Sequence, residues 1–251
     1  TTELKALFDG KEVIDFPKPS EYLKLLVLQA TEPKERAIIL DFFAGSGTTG
    51  QAVMQANKDD GGDRSFILVQ LPEPVENIGF STIAEVTKER IRRFGKKLVE
   101  ENRLLTSDVG FKVFKLDSSN IHAWEPDRDN LQKSLLDAIN HLNSDRTEQD
   151  ILYELLLKLG LSLAVDIQER TIENKVVYSI GAGTLIVCLA EQILTSDVED
   201  LAHGIAKWQK VLSPTGETTC VFRDSAFADD IGKTNMTAIL EQSGISNVRS
   251  L

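Results

Sequence analysis

Apolar residues recur at helical spacing in some stretches of this chain and run together in others, and the alternation of the two predicts its elements. In SEYLKLLVLQ, residues 20–29, Tyr22, Leu23, Leu26 and Val27 fall at helical spacing, with Ser20 ahead of them as an N-cap candidate. Pro17 and Pro19 hold the approach to this helix extended. AIILDFFAG, a continuous apolar run ended by glycine, reads as a strand buried on both faces of a parallel sheet. GSGTTGQAVMQAN turns into a helix that the turn signal DDGGD closes, and SFILVQL reads as a second buried strand. A long helix is expected from about Ser81 to Asn102. Strand–helix–strand–helix is the rhythm of a parallel α/β fold.

The rhythm breaks over residues 105–130, where FKVFKLD is a strand candidate and SSNIHAWEPDRDN is polar around the single Trp124. A boundary near this point divides the chain into residues 1–110 and residues 111–251. Beyond it, LQKSLLDAINHL and EQDILYELLLKLGL are amphipathic helices, and NKVVYSIGAGTLIVCL reads as two strands around a Gly181-Ala182-Gly183 turn. DVEDLAHGIAKWQKVL is a helix, TTCVFRD a strand, KTNMTAILEQSG a last helix and ISNVRSL a final short strand. No internal repeat or low-complexity tract interrupts these segments.

Composition narrows the class. At 251 residues, with 41% hydrophobic and 27% charged side chains, the chain can bury a real core. No apolar run approaches the roughly 20 residues a membrane-spanning helix needs, and no N-terminal segment reads as a signal peptide, so a cytoplasmic protein is expected. Cys188 and Cys220 sit in apolar, strand-like runs and read as buried thiols rather than a disulfide framework. His122, His141 and His203 show no ligand spacing with each other or with the cysteines, so no metal site is expected. Charge is unevenly placed: residues 1–105 hold 15 basic and 17 acidic side chains, residues 106–251 hold 13 and 22. The acidic second half is a poor partner for phosphate backbones.

The segment with candidate chemistry is Gly45-Ser46-Gly47-Thr48-Thr49-Gly50, placed between a buried strand and a helix. Glycine there lets backbone approach a ligand, and the helix N-terminus offers unpaired N–H groups. A Walker loop needs Lys after its last glycine, and Gln51 stands there instead. A dinucleotide fingerprint fits the glycines but wants an acidic residue near the end of the next strand, where Gln70 stands with Glu73 three residues on. A nicotinamide dehydrogenase would further need a hydride-transfer site, and none is evident.

The flanks point elsewhere. ILDFFAGSGTTGQAVMQAN resembles the S-adenosyl-L-methionine loop of the β-class amino methyltransferases of DNA, in which Asp-(Pro/Phe)-Phe-x-Gly-Ser-Gly-Thr-Thr is the hallmark. FPKPSEYLK, about 25 residues upstream, resembles that class's second cofactor element, in the order the class uses. NKDDGGDRSFILVQLPEP, FKVFKLDSSN with the following Trp124, DILYELLLKLGL and the closing VFRDSAFADD…KTN…NVRSL are similar to the C-terminal portion of the modification (Mod) subunit of type III restriction–modification systems. The resemblance implies an α/β fold: a partial Rossmann-like S-adenosylmethionine methyltransferase sheet over residues 1–110, followed by a smaller α+β C-terminal interaction domain over 111–251.

It also implies roles. Phe16, Lys18, Pro19 and Ser20 would frame the methionine end of the cofactor, and Asp41 would orient its amino group. Phe43, Ala44, Gly45, Ser46, Gly47 and Thr48 would wrap the carboxylate and sulfonium. Gln70 would take one ribose hydroxyl through its carbonyl, and Glu73 would supply the acidic charge many relatives carry nearby. Plainer readings stand beside these: Asp41 as a turn-capping carboxylate, Lys18 as a solvated lysine, Thr48 and Thr49 as helix caps.

Base methylation needs a second constellation, a flipped base whose amine is held by an Asp-Pro-Pro-Tyr tetrad in this family. None of Pro17, Pro19, Pro33, Pro72, Pro74, Pro126 and Pro214 is followed by another proline, so the tetrad is absent from this sequence. In the class the tetrad lies N-terminal to the cofactor elements, and only 15 residues precede Phe16. The expectation is therefore a chain that holds most of a cofactor pocket, leaves a sheet edge to be covered, has no catalytic residues of its own and does not methylate DNA alone. The family implies three partners: DNA in the full-length protein, a second Mod subunit in a homodimer, and a restriction (helicase–nuclease) subunit. No membrane is implied. DILYELLLKLGL and the strands around Val176–Leu189 are the candidate contact surfaces. A non-catalytic dimerisation or restriction-subunit docking module with an unused pocket is the alternative. Within KERIRRFGKK, Lys88, Arg90, Arg92, Arg93, Lys96 and Lys97 read as a solvated helix surface, with a DNA phosphate contact as the other reading.

Overall fold

The computed structural model describes residues 2–75, 79–101, 108–121, 142–143 and 145–251. It is a mixed α/β structure in two compact units, Thr1–Val113 and Phe114–Leu251. The expected helix LQKSLLDAINHL, apart from Leu142, lies outside the described residues, as do Trp124, His122 and His141.

The first unit runs α1 (Thr2–Leu7), α2 (Ser20–Ala30), β1 (Ile38–Asp41), α3 (Thr48–Asp60), β2 (Ser65–Leu68) and α4 (Ile83–Glu101). β1 and β2 pair in parallel, Ile38 opposite Ser65 and Asp41 opposite Leu68, with α3 as the crossover. One face of this two-stranded sheet is covered: Ile39 and Phe66 pack on Val27, Val53 and Ala56 from α2 and α3. Phe66 and Leu68 also meet Met54, Ile91, Phe94 and Leu98 from α3 and α4. The other face is open, with Ile38 65%, Leu40 57% and Ile67 51% exposed. The expectation of strands buried on both faces is thus corrected. An apolar run reports the demand for burial, but the covering layer has to come from elsewhere.

Local signals account for most boundaries here, with two corrections. α3 ends on Gly61 in the left-handed conformation, as the DDGGD turn requires. Ser20 is not the cap of α2: Pro19 occupies that position, and Ser20 is the first helical residue, with its hydroxyl donated to Glu3. FKVFKLD forms no strand, and Leu116 within it is 98% exposed. Among the described residues no strand pairs with it.

The second unit contains α5 (Glu148–Lys158), β3 (Ile167–Ile172), β4 (Lys175–Ile180), β5 (Leu185–Cys188), α6 (Val198–Leu212), β6 (Thr219–Phe222), α7 (Asp230–Gln242) and β7 (Asn247–Ser250). Its sheet has the order β3-β4-β5-β6-β7. β3, β4 and β5 run antiparallel, and β5, β6 and β7 run parallel. The parallel pairs are those bridged by α6 and α7, as a crossover demands. Val177, Ile186, Cys188, Cys220 and Phe222 face α6 and α7. Tyr178, Ile180, Leu185 and Val187 face α5. Helices on both sides explain why LIVC is buried at every position.

DILYELLLKLGL and Val176–Leu189, expected as candidate contact surfaces, mostly build this unit's own core. Ile151, Leu152, Leu155 and Leu156 pack onto the sheet, leaving Leu157 exposed. α5 starts on a capping box of Thr147 and Asp150, and α7 on the Asp229 carboxylate, which accepts from Gly232 N–H at 2.7 Å.

Both cysteines are free and buried, and burial pushes the Cys188 thiol up to about 11 and the Cys220 thiol up to about 12. A thiol that is neither exposed nor ionised does not react. Alkylation by iodoacetamide at pH 8, followed by mass spectrometry, is expected to leave both unmodified in the folded chain and to modify both in urea.

Candidate functional site

The glycine loop is the turn from the end of β1 into α3, and hydrogen bonds from four directions fix it. The Asp41 carboxylate accepts from Phe43 N–H at 3.1 Å and from the Thr49 hydroxyl at 2.5 Å, tying the strand end to the first helical turn. Ala44 N–H donates to Val69 C=O at 3.1 Å, and Gly45 N–H donates to Gln70 Oε1 at 2.7 Å, anchoring the loop to the extension of β2. From behind, the Thr87 hydroxyl of α4 donates to Gly45 C=O. Arg90, one turn further along α4, donates to Ser46 Oγ at 2.8 Å and Thr48 Oγ1 at 2.7 Å.

Two glycines are dictated by this packing. Gly47 has φ 76°, and a Cβ there would stand 3.0 Å from the Thr87 methyl. Gly50 lies inside α3 with ordinary helical backbone, but its Cβ would meet Ile91 Cδ1 at 2.6 Å. The last glycine of the motif therefore serves close helix–helix approach. The cap of α3 is Gly47, so Thr48 and Thr49 are helical residues and not caps.

The expected cofactor residues fall into a loop set and an upstream set. Asp41 and Phe43 are joined by one hydrogen bond, and Gly45, Gln70 and Glu73 by another set, since Gln70 Nε2 reaches Glu73 Oε2 at 3.5 Å and Leu71 C=O at 3.2 Å. Ala44, Ser46, Gly47 and Thr48 are buried, whereas Phe43 is 83% exposed. Upstream, Phe16 is 90% exposed with φ 49°, and Lys18 and Pro19 are exposed. Ser20 is buried and joins the loop at a distance. Its hydroxyl donates to both Glu3 oxygens at 2.6 and 2.7 Å; Glu3 accepts from Gln51 Nε2, and Gln51 Oε1 accepts from Arg90 Nε at 2.7 Å.

Glu3, Thr49, Gln51, Thr87 and Arg90 have no counterpart among the expected site residues. The reading of KERIRRFGKK as a solvated helix surface is corrected at Arg90, which is 1% exposed. Its spacing carried the signal: Val86, Arg90, Phe94 and Leu98 follow one another every fourth residue, and all four are buried. The other cations of the run mostly pair locally. Arg92 and Arg93 pair with Glu89, Arg93 also with Asp9, Lys96 with Glu100 and Lys97 with Glu101. Among the described residues no helix is long and apolar enough to cross a membrane.

With this geometry in view, the comparisons with known proteins fall into place. Residues 9–89, which include α2, the loop, α3 and β2, match the family model of DNA methylases of the N6/N4 class. The chain is 41% identical over 119 residues to the type III restriction-modification enzyme StyLTI Mod subunit of Salmonella typhimurium, covering 45% of this chain and 18% of that one. It is 41% identical over 123 residues to the EcoPI Mod subunit of Escherichia phage P1, covering 45% and 18%. It is 38% identical over 123 residues to the EcoP15I Mod subunit of Escherichia coli, covering 46% and 18%. The chain thus spans under a fifth of the length of these three Mod subunits. Residues 9–89 are similar to DNA methylases of the N6/N4 class, and over about 45% of its length the chain is similar to Mod subunits of type III restriction–modification systems.

Proposed function

We propose that this chain is the cofactor-binding, C-terminal part of a site-specific DNA adenine methyltransferase, the modification subunit of a type III restriction–modification system, with S-adenosyl-L-methionine as its cofactor. The observation that carries this reading is the loop from Asp41 to Thr48. Its two left-handed glycines and the start of α3 gather backbone N–H groups and hydroxyls around one turn, with a protonated arginine behind them. Such a donor set suits the carboxylate of an amino-acid-bearing ligand. Residues Phe43 to Thr48 hold that end of the cofactor, Asp41 faces its ammonium, Phe16, Lys18, Pro19 and Ser20 frame the methionine chain, and Gln70 and Glu73 take the ribose hydroxyls. The cofactor supplies a methyl group on a sulfonium. The residues of this chain bind and orient it.

The open sheet face fits the same reading. Ile38, Leu40, Ile67 and Leu71 are each more than half exposed. Apolar surface of this kind is covered in a working assembly, and here the cover is the base-handling part of a methyltransferase. No Asp-Pro-Pro-Tyr stands in this sequence, so the chain alone binds cofactor without methylating DNA. DNA, a second Mod subunit and the restriction subunit are the partners of the whole protein, which works in the cytoplasm.

Calorimetric titration of S-adenosyl-L-methionine into the chain tests the reading, with Asp41→Ala beside it. Saturable one-site binding is expected, weakened about tenfold or more by the substitution, because a charge-assisted contact and the loop brace are both lost. A folded chain that takes up no cofactor would point instead to an assembly module whose pocket is unused.

A further inference from the structure

Arg90 is 1% exposed, and among the described residues no carboxylate oxygen stands within ion-pair distance of it. Burying a guanidinium without a counter-ion is expensive. Here the acceptors are neutral: Gln51 Oε1 at 2.7 Å, Ser46 Oγ at 2.8 Å and Thr48 Oγ1 at 2.7 Å. The negative potential that favours its charge comes from Glu3, which is separated from it by the Gln51 amide. Burial lowers the guanidinium only to about 10, so it stays protonated at neutral pH.

The direction of these bonds matters more than their number. A guanidinium can only donate, so Ser46 and Thr48 must accept from it, and each keeps its own O–H hydrogen for another acceptor. The two hydroxyl oxygens are 3.3 Å apart, which lets one hydrogen pass between them and leaves at least one to donate elsewhere. Arg90 thereby fixes the polarity of the loop. Donating hydroxyls, the N-terminal N–H groups of the 13-residue α3 and a buried cation all favour negative charge.

We propose that Arg90 is a positioning residue for the carboxylate of the bound ligand, acting through Ser46 and Thr48 without touching the ligand itself. The proposal rests on the assignment of the loop to S-adenosyl-L-methionine, and it predicts selectivity for one group of that molecule. Affinities are compared by calorimetry for S-adenosyl-L-methionine and its decarboxylated form, which keeps the ammonium and sulfonium. Arg90→Met is expected to weaken the carboxylate-bearing ligand about tenfold to a hundredfold and to leave the decarboxylated one within about twofold. Arg90→Lys, which keeps the charge with a different donor geometry, should recover part of the difference.

Equal loss of both ligands would show a general scaffold role and overturn the proposal, as would no loss of either. Should Arg90→Met not fold, Ser46→Ala with Thr48→Val removes the two hydroxyls through which Arg90 acts. The same selective loss of the carboxylate-bearing ligand is expected from it. A wild-type chain that binds neither ligand removes the loop assignment itself. That result is distinct from a wild type that binds and variants that do not discriminate.

Discussion

Replacing Arg64 with methionine is expected to lower the stability of the N-terminal unit by about 1–3 kcal/mol, the range for losing a charge-assisted donor, because the guanidinium is buried while its partner Asp60 lies at the surface. The Arg64 side chain has no exposed surface and forks onto Asp60, Nη1 to Oδ1 and Nη2 to Oδ2, both at 2.9 Å. Its Nε donates to the Thr31 hydroxyl at 2.6 Å and Nη2 to Thr31 C=O at 3.2 Å. Its main chain exchanges hydrogen bonds with the Asn57 side chain at 2.8 and 3.1 Å. One residue thus joins the ends of α2 and α3 to the start of β2, next to two helix C-termini where a cation is favoured. Methionine fills the space but takes both guanidinium donors from Asp60, which keeps Gly62 N–H at 2.9 Å, and leaves Thr31 C=O without the Nη2 donor.

The same pair gives a pH signature. The Arg64 hydrogen bonds hold the Asp60 carboxyl below its ordinary range, so the folded state releases this proton more readily than the unfolded chain. That stabilisation is fully present above the ordinary carboxylate range, near pH 4, and is lost as pH falls through the lowered folded value. In Arg64→Met the loss has already occurred at neutral pH. Urea unfolding at pH 7 and near pH 3 should therefore show a gap between wild type and variant that narrows in acid. A gap of the same size at both values would refute the role given to the pair.

Phe222→Ala is expected to cost about 3–5 kcal/mol in the C-terminal unit. Phe222 is 2% exposed on β6, which pairs with both β5 and β7, and its ring lies edge-on to Phe227 with centroids 6.0 Å apart. The ring contact contributes about 0.5–1.5 kcal/mol, so most of the loss comes from the cavity left among Ala226, Met236 and the α6 side chains. Phe222→Leu, which keeps most of the volume, should cost less than about 1.5 kcal/mol. The check is the urea midpoint at unchanged slope. Similar midpoints for the two variants would show that the edge contact, rather than the cavity, dominates.

Most helices and strands were legible because their signals are local. The Gly181-Ala182-Gly183 turn between apolar runs marked β4 and β5, helical spacing marked α2 and α5, and glycine marked the end of α3. β3 was missed because IQERTI is an edge strand whose four central residues are exposed, so its outward polar residues hide the period. α1 was missed because six residues are too few for a period, and its Leu4 is buried against Phe8, Val13 and the sequence-distant Val86. FKVFKLD shows the reverse error, a strand pattern that pairs with no strand among the described residues.

The loop was legible as a motif, and its braces were not. Asp41, the glycines and Gln70 stand where the motif puts them, but that Asp41 accepts from Phe43 and Thr49, and Gln70 from Gly45, follows from distances no spacing rule encodes.

The sequence by itself determined the order of the elements, the glycine loop between a strand and a helix, and the kinship of residues 9–89 with DNA methylases. Periodicity and backbone permissiveness are properties of a segment and need no partner. Only the tertiary structure decided which polar residues go inside. Arg90 and Arg64 come from runs that read as solvated surface or turn, yet both are buried, because each sets several donors onto oxygens that packing gathers around it. The same holds for the sheet: its apolar residues ask for two covers, and the described residues supply one.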